Sequence, residues 1–339
     1  MAELRLDPVG RRWVVTGQRT PMPDSKDGSA PCHFCSGNEA LTPEPIREVR
    51  GPDGRWSVRV FHDRAPVFRI EGNIERRGEG LYDRMNTVGG HEIVVETPEH
   101  GATLASLPEA QVAGVTEVCR DRILDLKQDR RFRYVTLFKD QGLPDPTLEG
   151  HSHSQILATP VLPQILEIEF RWSQFHFRQK DRCLFCDILR QEIQQETRVV
   201  DQNAEFVALC PFASRFPYEL WILPVGHASS FEKDLAGPAR VRALAGFLKS
   251  CLLRVEKISG ALHMIVHTEP NLAARGWFPE WWKTVAEDFH WHIEIYPEIA
   301  GLRDYLGTEG FRYNPIPAED AALALRTLAP GAEPLGPAS

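Results

Sequence analysis

Two stretches of this chain carry the same chemical punctuation in the same order, and such a repeat admits few folds. The first reads Cys32-His-Phe-Cys35, then His100, then His151-Ser-His153-Ser-Gln155. The second reads Cys183-Leu-Phe-Cys186, then His227, then His290-Trp-His292-Ile-Glu294. In each, a CxxC pair precedes a His that ends a proline-containing apolar run. An HxH then closes the set, with a long polar residue at the next alternate position. The recurrence of this ordered set predicts an ancient duplication with a metal site in each half.

At 339 residues, 42% hydrophobic and 25% charged, the chain can bury a large core as two domains or two fused halves. A net charge of −8, without a Lys/Arg cluster, argues against a nucleic-acid polymer as partner. No apolar run approaches the roughly 18 residues of a membrane span, and the opening MAELRLDPVG lacks a signal-peptide core. The expectation is a cytoplasmic protein with no membrane partner. Four of the seven cysteines sit in CxxC pairs, and Cys119, Cys210 and Cys251 lie in apolar contexts. In a reducing compartment that usage favours metal binding or redox work over structural disulfides.

The element signals follow the repeat. Strands are predicted at 11–16, 56–62, 91–97 and 133–138, with a helix over 107–129 that has Pro108 in its first turn. The second half offers strands in AEFVALCPF, YELWILP, HMIVHT and FHWHIEIYP, a helix over 236–257 and a closing helix in PAEDAALALRTLA. The fold class is therefore α+β, with antiparallel strands and flanking helices in two tandem halves, 1–165 and 180–339. A boundary falls near 165–180, and the halves share a sheet or an interface.

A CxxC brings two thiolates within reach of one ion, and zinc favours tetrahedral sulfur and nitrogen ligation. Cys32, Cys35, His100 and His151 make a complete Cys2His2 set; Cys183, Cys186, His227 and His290 make another. A closed set of four leaves no position for water, which points to structural zinc at one or both sites, with iron an alternative at the second. His292 or Glu294 could stand in for His290, and both CxxC pairs could instead be buried or redox-active thiols.

The HxH strand carries the chemistry. Alternation puts His151, His153 and Gln155 on one face and Ser152, Ser154 and Ile156 on the other. With His151 tied to metal, His153 stands free about 7 Å along the same face. A neutral, fixed imidazole is a nucleophile or general base, and the Gln155 amide can donate to a developing oxyanion. The loop from Gly142 to Gly150 offers backbone N–H groups to a phosphate. The residues thus predict phosphoryl or acyl transfer through a His adduct. Trp277, Trp281 and Trp282 read as packing residues, and His62, His91, His176 and His263 receive no role. Dinucleotide and P-loop glycine motifs are absent from the sequence.

ELRLDPVGRRWVV, CHFCSGNEALTPEPI, RVFHDRAPVF and HSHSQILATPVLP together resemble the galactose-1-phosphate uridylyltransferase family. That family lies in the histidine-triad superfamily and includes ADP-glucose phosphorylase-type enzymes. FPYELWILPVGH, HWHIEIYP and YNPIPAEDAA extend the resemblance through the second half.

The resemblance implies two histidine-triad-like halves, the first catalytic and the second degenerate, in a homodimer. It also implies a ping-pong transfer of a nucleoside monophosphate between a nucleoside diphosphate sugar and a sugar 1-phosphate. His153 would be the nucleophile and Gln155 the stabiliser of charge on the α-phosphate. Phe34 would pack on the base, Asp63 and Asp140 would contact the nucleotide, and Arg19 and Thr147 the phosphates. The family usually has Asn where this chain has Asp63 and Asp140. The phosphate loop is altered too, reading Pro146-Thr147-Leu148. Two alternatives stay open: a nucleotide-sugar phosphorylase or hydrolase, with phosphate or water as acceptor, and a catalytically weak nucleotide-binding protein.

Overall fold

The computed structural model describes residues 2–17, 31–143, 150–276, 278–299, 305–306 and 311–328. In chain order the strands are β1 (Glu3–Leu6), β2 (Trp13–Thr16), β3 (Arg47–Arg50), β4 (Trp56–His62), β5 (Arg77–Glu79), β6 (Tyr82–Asn86) and β7 (Gly90–Val95). They continue with β8 (Tyr134–Gln141), β9 (His153–Thr159), β10 (Val199–Gln202), β11 (Phe206–Leu209), β12 (Leu220–Pro224), β13 (Leu262–His267) and β14 (His292–Pro297). The helices are α1 (Glu109–Leu126), α2 (Gln164–Lys180), α3 (Leu184–Gln195), α4 (Phe231–Asp234), α5 (Pro238–Glu256), α6 (Val285–Asp288) and α7 (Ala318–Thr327). The predicted strands and helices all form, and the architecture is α+β.

Ten strands make one antiparallel sheet in the order β10-β11-β12-β14-β13-β8-β9-β7-β4-β3. Read outward from the β8–β13 pair, each side has the same chain order: fourth strand, fifth, third, second, first. The duplication seen in the motifs is therefore also a duplication of topology, and the two sets join by direct pairing of β8 with β13. At the end of β8, Gly142 adopts φ +67°, and a Cβ there would meet Gly260 O at 2.7 Å, so only glycine fits this crossing. A smaller sheet, β2-β1-β6-β5, flanks the first set.

One core serves both sets. Val112, Val115, Val118, Ile123 and Leu126 of α1 recur at helical spacing and meet Leu244, Leu248, Leu252 and Val255 of α5 over one sheet face. A second cluster covers the other face behind the second set, with Phe170, Phe185, Leu189, Trp281, Trp282 and Phe289. Trp281 stacks on Phe170 at 4.9 Å and 14°. That agrees with the packing role read for Trp281 and Trp282; Trp277 lies outside the described residues. The segment near 165–180 folds as α2. Its Leu166 and Phe170 are buried one turn apart, and it ends where Asp181 turns left-handed at φ 53°. Among the described residues, no helix is long and apolar enough to cross a membrane.

Candidate active site and metal centres

His151 lies two residues before the start of β9, which runs between β7 and β8 in the sheet. Its alternation is the one expected. Ser152 and Ser154 point to the back face, where both hydroxyls donate to the Glu96 carboxylate at 2.5 and 2.6 Å. His153 lies on the front face with its ring 5.6 Å from that of Phe34, which is also 5.7 Å from Phe61. Phe34 is itself buried in this apolar cluster with Trp56, Ile93 and Val95.

His153 Nδ1 donates to the His151 carbonyl at 2.7 Å. That bond fixes the tautomer and leaves Nε2 with its lone pair. Among the described residues this buried Nε2 has no hydrogen-bond partner. Burial and the Lys139 ammonium behind the strand both hold the His153 pKa below the ordinary imidazole value. An oriented imidazole kept neutral in this way can serve as a nucleophile or a general base.

Behind the strand, Lys139 Nζ lies 2.8 Å from Glu96 Oε2 and donates to the His153 carbonyl at 3.0 Å. Burial alone would raise the Glu96 pKa, but Lys139 and the two serines bring it below the usual carboxylate value. Sequence reasoning missed this pair. Its only trace was the Ser-x-Ser on the back face, two hydroxyls in need of an acceptor.

Cys32, Cys35, His100 and His151 come together, with their ligand atoms all within 4.8 Å of one another. Cys35 Sγ lies 3.5 Å from His100 Nδ1 and 3.7 Å from His151 Nδ1. His151 Nε2 donates to the Thr97 carbonyl at 2.7 Å, so Nδ1 faces the thiols. Cys183, Cys186, His227 and His290 repeat the arrangement. There His290 Nε2 donates to Pro224 O at 3.0 Å and His227 Nε2 to Ala286 O at 3.0 Å. The group takes in His290, not His292 or Glu294. The Cys183 thiol donates to Cys186, whose pKa is pulled down to about 3 and so has the thiolate character a metal ligand needs. Both sets can hold a metal ion.

A third set was not read from the sequence: Glu169, His267, His292 and Glu294, also mutually within 4.8 Å. Glu169 comes from α2 and His267 from the end of β13, so only folding brings them to the second HxH strand. Arg215 sits 2.6 Å from Glu294 and balances part of its charge.

The remaining expected residues divide. Asp63 is buried with its Oδ2 3.0 Å from His91 Nδ1, and Asp140 meets His263 Nδ1 at 2.7 Å across the β8–β13 pair. His176 lies 3.0 Å from Asp187. Three of the histidines given no role therefore have acidic neighbours, which sequence distance concealed. Arg19 and Thr147 lie outside the described residues.

The family model for the galactose-1-phosphate uridyl transferase N-terminal domain matches residues 11–163. The chain is 28% identical over 341 residues to galactose-1-phosphate uridylyltransferase of Thermotoga maritima, covering 96% of this chain and 98% of that one. It is 27% identical over 338 residues to ADP-glucose phosphorylase of Arabidopsis thaliana, covering 96% and 92%. A solved uridylyltransferase structure superposes with a TM-score of 0.77 at 25% identity, covering 96% of this chain and 98% of that one. The match to the N-terminal domain and these full-length likenesses together support the galactose-1-phosphate uridylyltransferase family, ADP-glucose phosphorylase-type members included.

Proposed function

We propose that this enzyme moves a nucleoside monophosphate between a nucleoside diphosphate sugar and a sugar 1-phosphate through a nucleotidyl-His153 intermediate. The observation that carries the reading is the buried Nε2, without a hydrogen-bond partner among the described residues, of an imidazole whose Nδ1 proton is fixed on the His151 carbonyl. In the first step the Nε2 lone pair attacks the α-phosphorus and the bridging P–O bond breaks. Its electron pair leaves on the sugar 1-phosphate. In the second, an oxygen of the acceptor phosphate attacks the same phosphorus, the N–P bond breaks, and neutral His153 is restored. Gln155 donates its NH2 to the phosphoryl oxygens as their charge rises. Asp140, Arg19 and Thr147 are proposed nucleotide and phosphate contacts, and Phe34 a wall against the base.

Cys32, Cys35, His100 and His151 would hold one zinc ion, and Cys183, Cys186, His227 and His290 a second, with iron the alternative there. Bound metal would supply rigidity: it would tie the loop carrying the CxxC to the start of the reactive strand. We further propose a catalytic half at 1–165, a degenerate half at 180–339, a cytoplasmic location and a homodimer. Ile165, Ile168, Trp172 and Phe175 leave an apolar stripe exposed along α2, which supports self-association.

The full-length likeness to ADP-glucose phosphorylase favours a second reading, in which inorganic phosphate replaces the sugar 1-phosphate as acceptor. Intact mass after brief mixing with UDP-glucose, ADP-glucose or a GDP-sugar, beside a His153→Ala control, tests both. A gain of one nucleoside monophosphate, absent in the variant, is expected and identifies the base. Turnover of the isolated adduct with galactose 1-phosphate or with phosphate then separates the acceptors. Folded, metal-loaded protein that gains no mass with any donor would sink the transfer reading.

A further inference from the structure

Asp63, His91 and Gln155 form a buried chain that reaches the reactive strand from its side, the three residues being 8%, 7% and 7% exposed. β7 and β9 pair with Ile93 opposite Gln155 and His91 opposite Leu157. His91 and Gln155 are therefore diagonal neighbours on one face, within reach of long side chains. His91 Nε2 lies 2.9 Å from Gln155 Oε1. Its Nδ1 lies 3.0 Å from Asp63 Oδ2, an ion-pair distance at which the N–H is not aimed squarely at the oxygen. Asp63 is anchored in turn: its N–H donates to the His91 carbonyl at 2.9 Å, and its Oδ1 accepts from Ala65 N at 3.1 Å.

An amide oxygen only accepts, so His91 Nε2 must carry a proton in this arrangement. A bare Nδ1 would set its lone pair against a buried carboxylate, which is repulsive at low dielectric. Protons on both nitrogens make the ring an imidazolium with Asp63 as its counter-ion. We infer that His91 is a positioning residue for the proposed transfer, an Asp63-held cation that engages the Gln155 carbonyl and leaves the Gln155 NH2 group for the α-phosphate. The inference rests on the reading of His153 as nucleophile for its catalytic consequence, though not for the charge state itself.

The alternative arrangement shows why the charge matters. A neutral His91 with its proton on Nδ1 presents a bare Nε2. The Gln155 amide would then turn its NH2 toward His91 and face the phosphate with its carbonyl oxygen, reversing the polarity the transfer needs. Asparagine at position 63 could not balance an imidazolium. The carboxylate here thus engages His91, and its negative charge is neutralised before it can oppose a phosphate. The second half also places a cation at this point. Arg215 bridges Glu294, the counterpart of Gln155, to Glu219, the residue in the register position of His91, at 2.6 Å to each.

The test uses the full, metal-loaded chain with histidine ring nitrogens labelled with 15N. The His91 signals are assigned by their loss in His91→Gln. At neutral pH the wild-type His91 ring is expected to show two protonated nitrogens, and Asp63→Asn to convert it to a neutral tautomer. In rapid-quench mass measurements with UDP-glucose and ADP-glucose, Asp63→Asn is expected to slow adduct formation on the order of tenfold or more. The donor KM should move little, as for a contact made chiefly in the transition state. Asp63→Asn with His91→Gln should recover much of that rate, because a glutamine amide donates to Gln155 without needing a counter-ion. A neutral His91 ring in the wild type, or an unchanged adduct rate in Asp63→Asn, would overturn the inference. Wild-type protein that forms no adduct would sink the transfer reading instead, and the ring spectrum would still decide whether His91 is a cation held by Asp63.

Discussion

Lys139 and Glu96 form an ion pair 2.8 Å long, 1% and 0% exposed, directly behind the strand that presents His153. A buried pair of this kind is a poor source of net stability, because desolvation offsets most of its attraction. Its placement has a positional logic. Lys139 grips the His153 carbonyl, and Glu96 collects the hydroxyls of Ser152 and Ser154, so β9 is held from behind by charge-assisted bonds. The second half has Trp291 and Ile293 at the matching positions, both within the apolar core. The polar backing belongs to the half whose HxH ends in glutamine.

Breaking this pair from one side should be expensive. Glu96→Gln leaves a buried ammonium without its counter-charge and is expected to cost about 3–5 kcal/mol. Lys139→Met combined with Glu96→Gln should cost less than that single change. Urea unfolding of both variants checks the order, and a single variant within about 1 kcal/mol of wild type would contradict it.

Removal of the His153 ring should abolish the covalent adduct in His153→Ala while leaving the fold intact. Gln155→Ala should retain the adduct but form it about 100- to 1,000-fold more slowly, the usual penalty for losing a donor to a developing anion. Rapid-quench mass spectrometry reads both. Equal rates for Gln155→Ala and wild type would remove Gln155 from the mechanism.

Elemental analysis of purified protein should find about two zinc equivalents per chain, matching the two Cys2His2 sets. Cys35→Ser and Cys186→Ser should each lose one, and chelation should lower the melting temperature because the metal stabilises only the folded chain. The harder donors of Glu169, His267, His292 and Glu294 suit iron or manganese better than zinc. A metal content unaffected by either Cys change would count against both centres.

Trp281→Ala should cost about 3–5 kcal/mol by leaving a cavity against Phe170. The KM for nucleotide sugar should be unchanged, since Trp281 lies in the core. A large rise in KM with little loss of stability would restore a sugar-stacking role.

Trp172→Glu, placed in the exposed stripe of α2, should convert a dimer to monomer by light scattering without lowering unfolding stability. An unchanged mass would move the self-association surface elsewhere.

The motif repeat by itself determined a great deal. Cysteine and histidine spacing identified both Cys2His2 groups, because a CxxC can reach only a small volume and few histidines follow in order. Period-two alternation assigned His153 to the front face of β9 and Ser152 to the back, since successive side chains of a strand point oppositely. What the sequence left open depends on pairing across distance. Asp63 meets His91, Asp140 meets His263 and Lys139 meets Glu96 because β4, β7, β8 and β13 lie near one another in one sheet, and no local pattern encodes those partners. The segment near 165–180 folds as α2 because Leu166 and Phe170 find the Trp281 cluster to bury against, a partner distant in sequence. Local chemistry fixed which groups can react. Only the tertiary register decided which charges balance them.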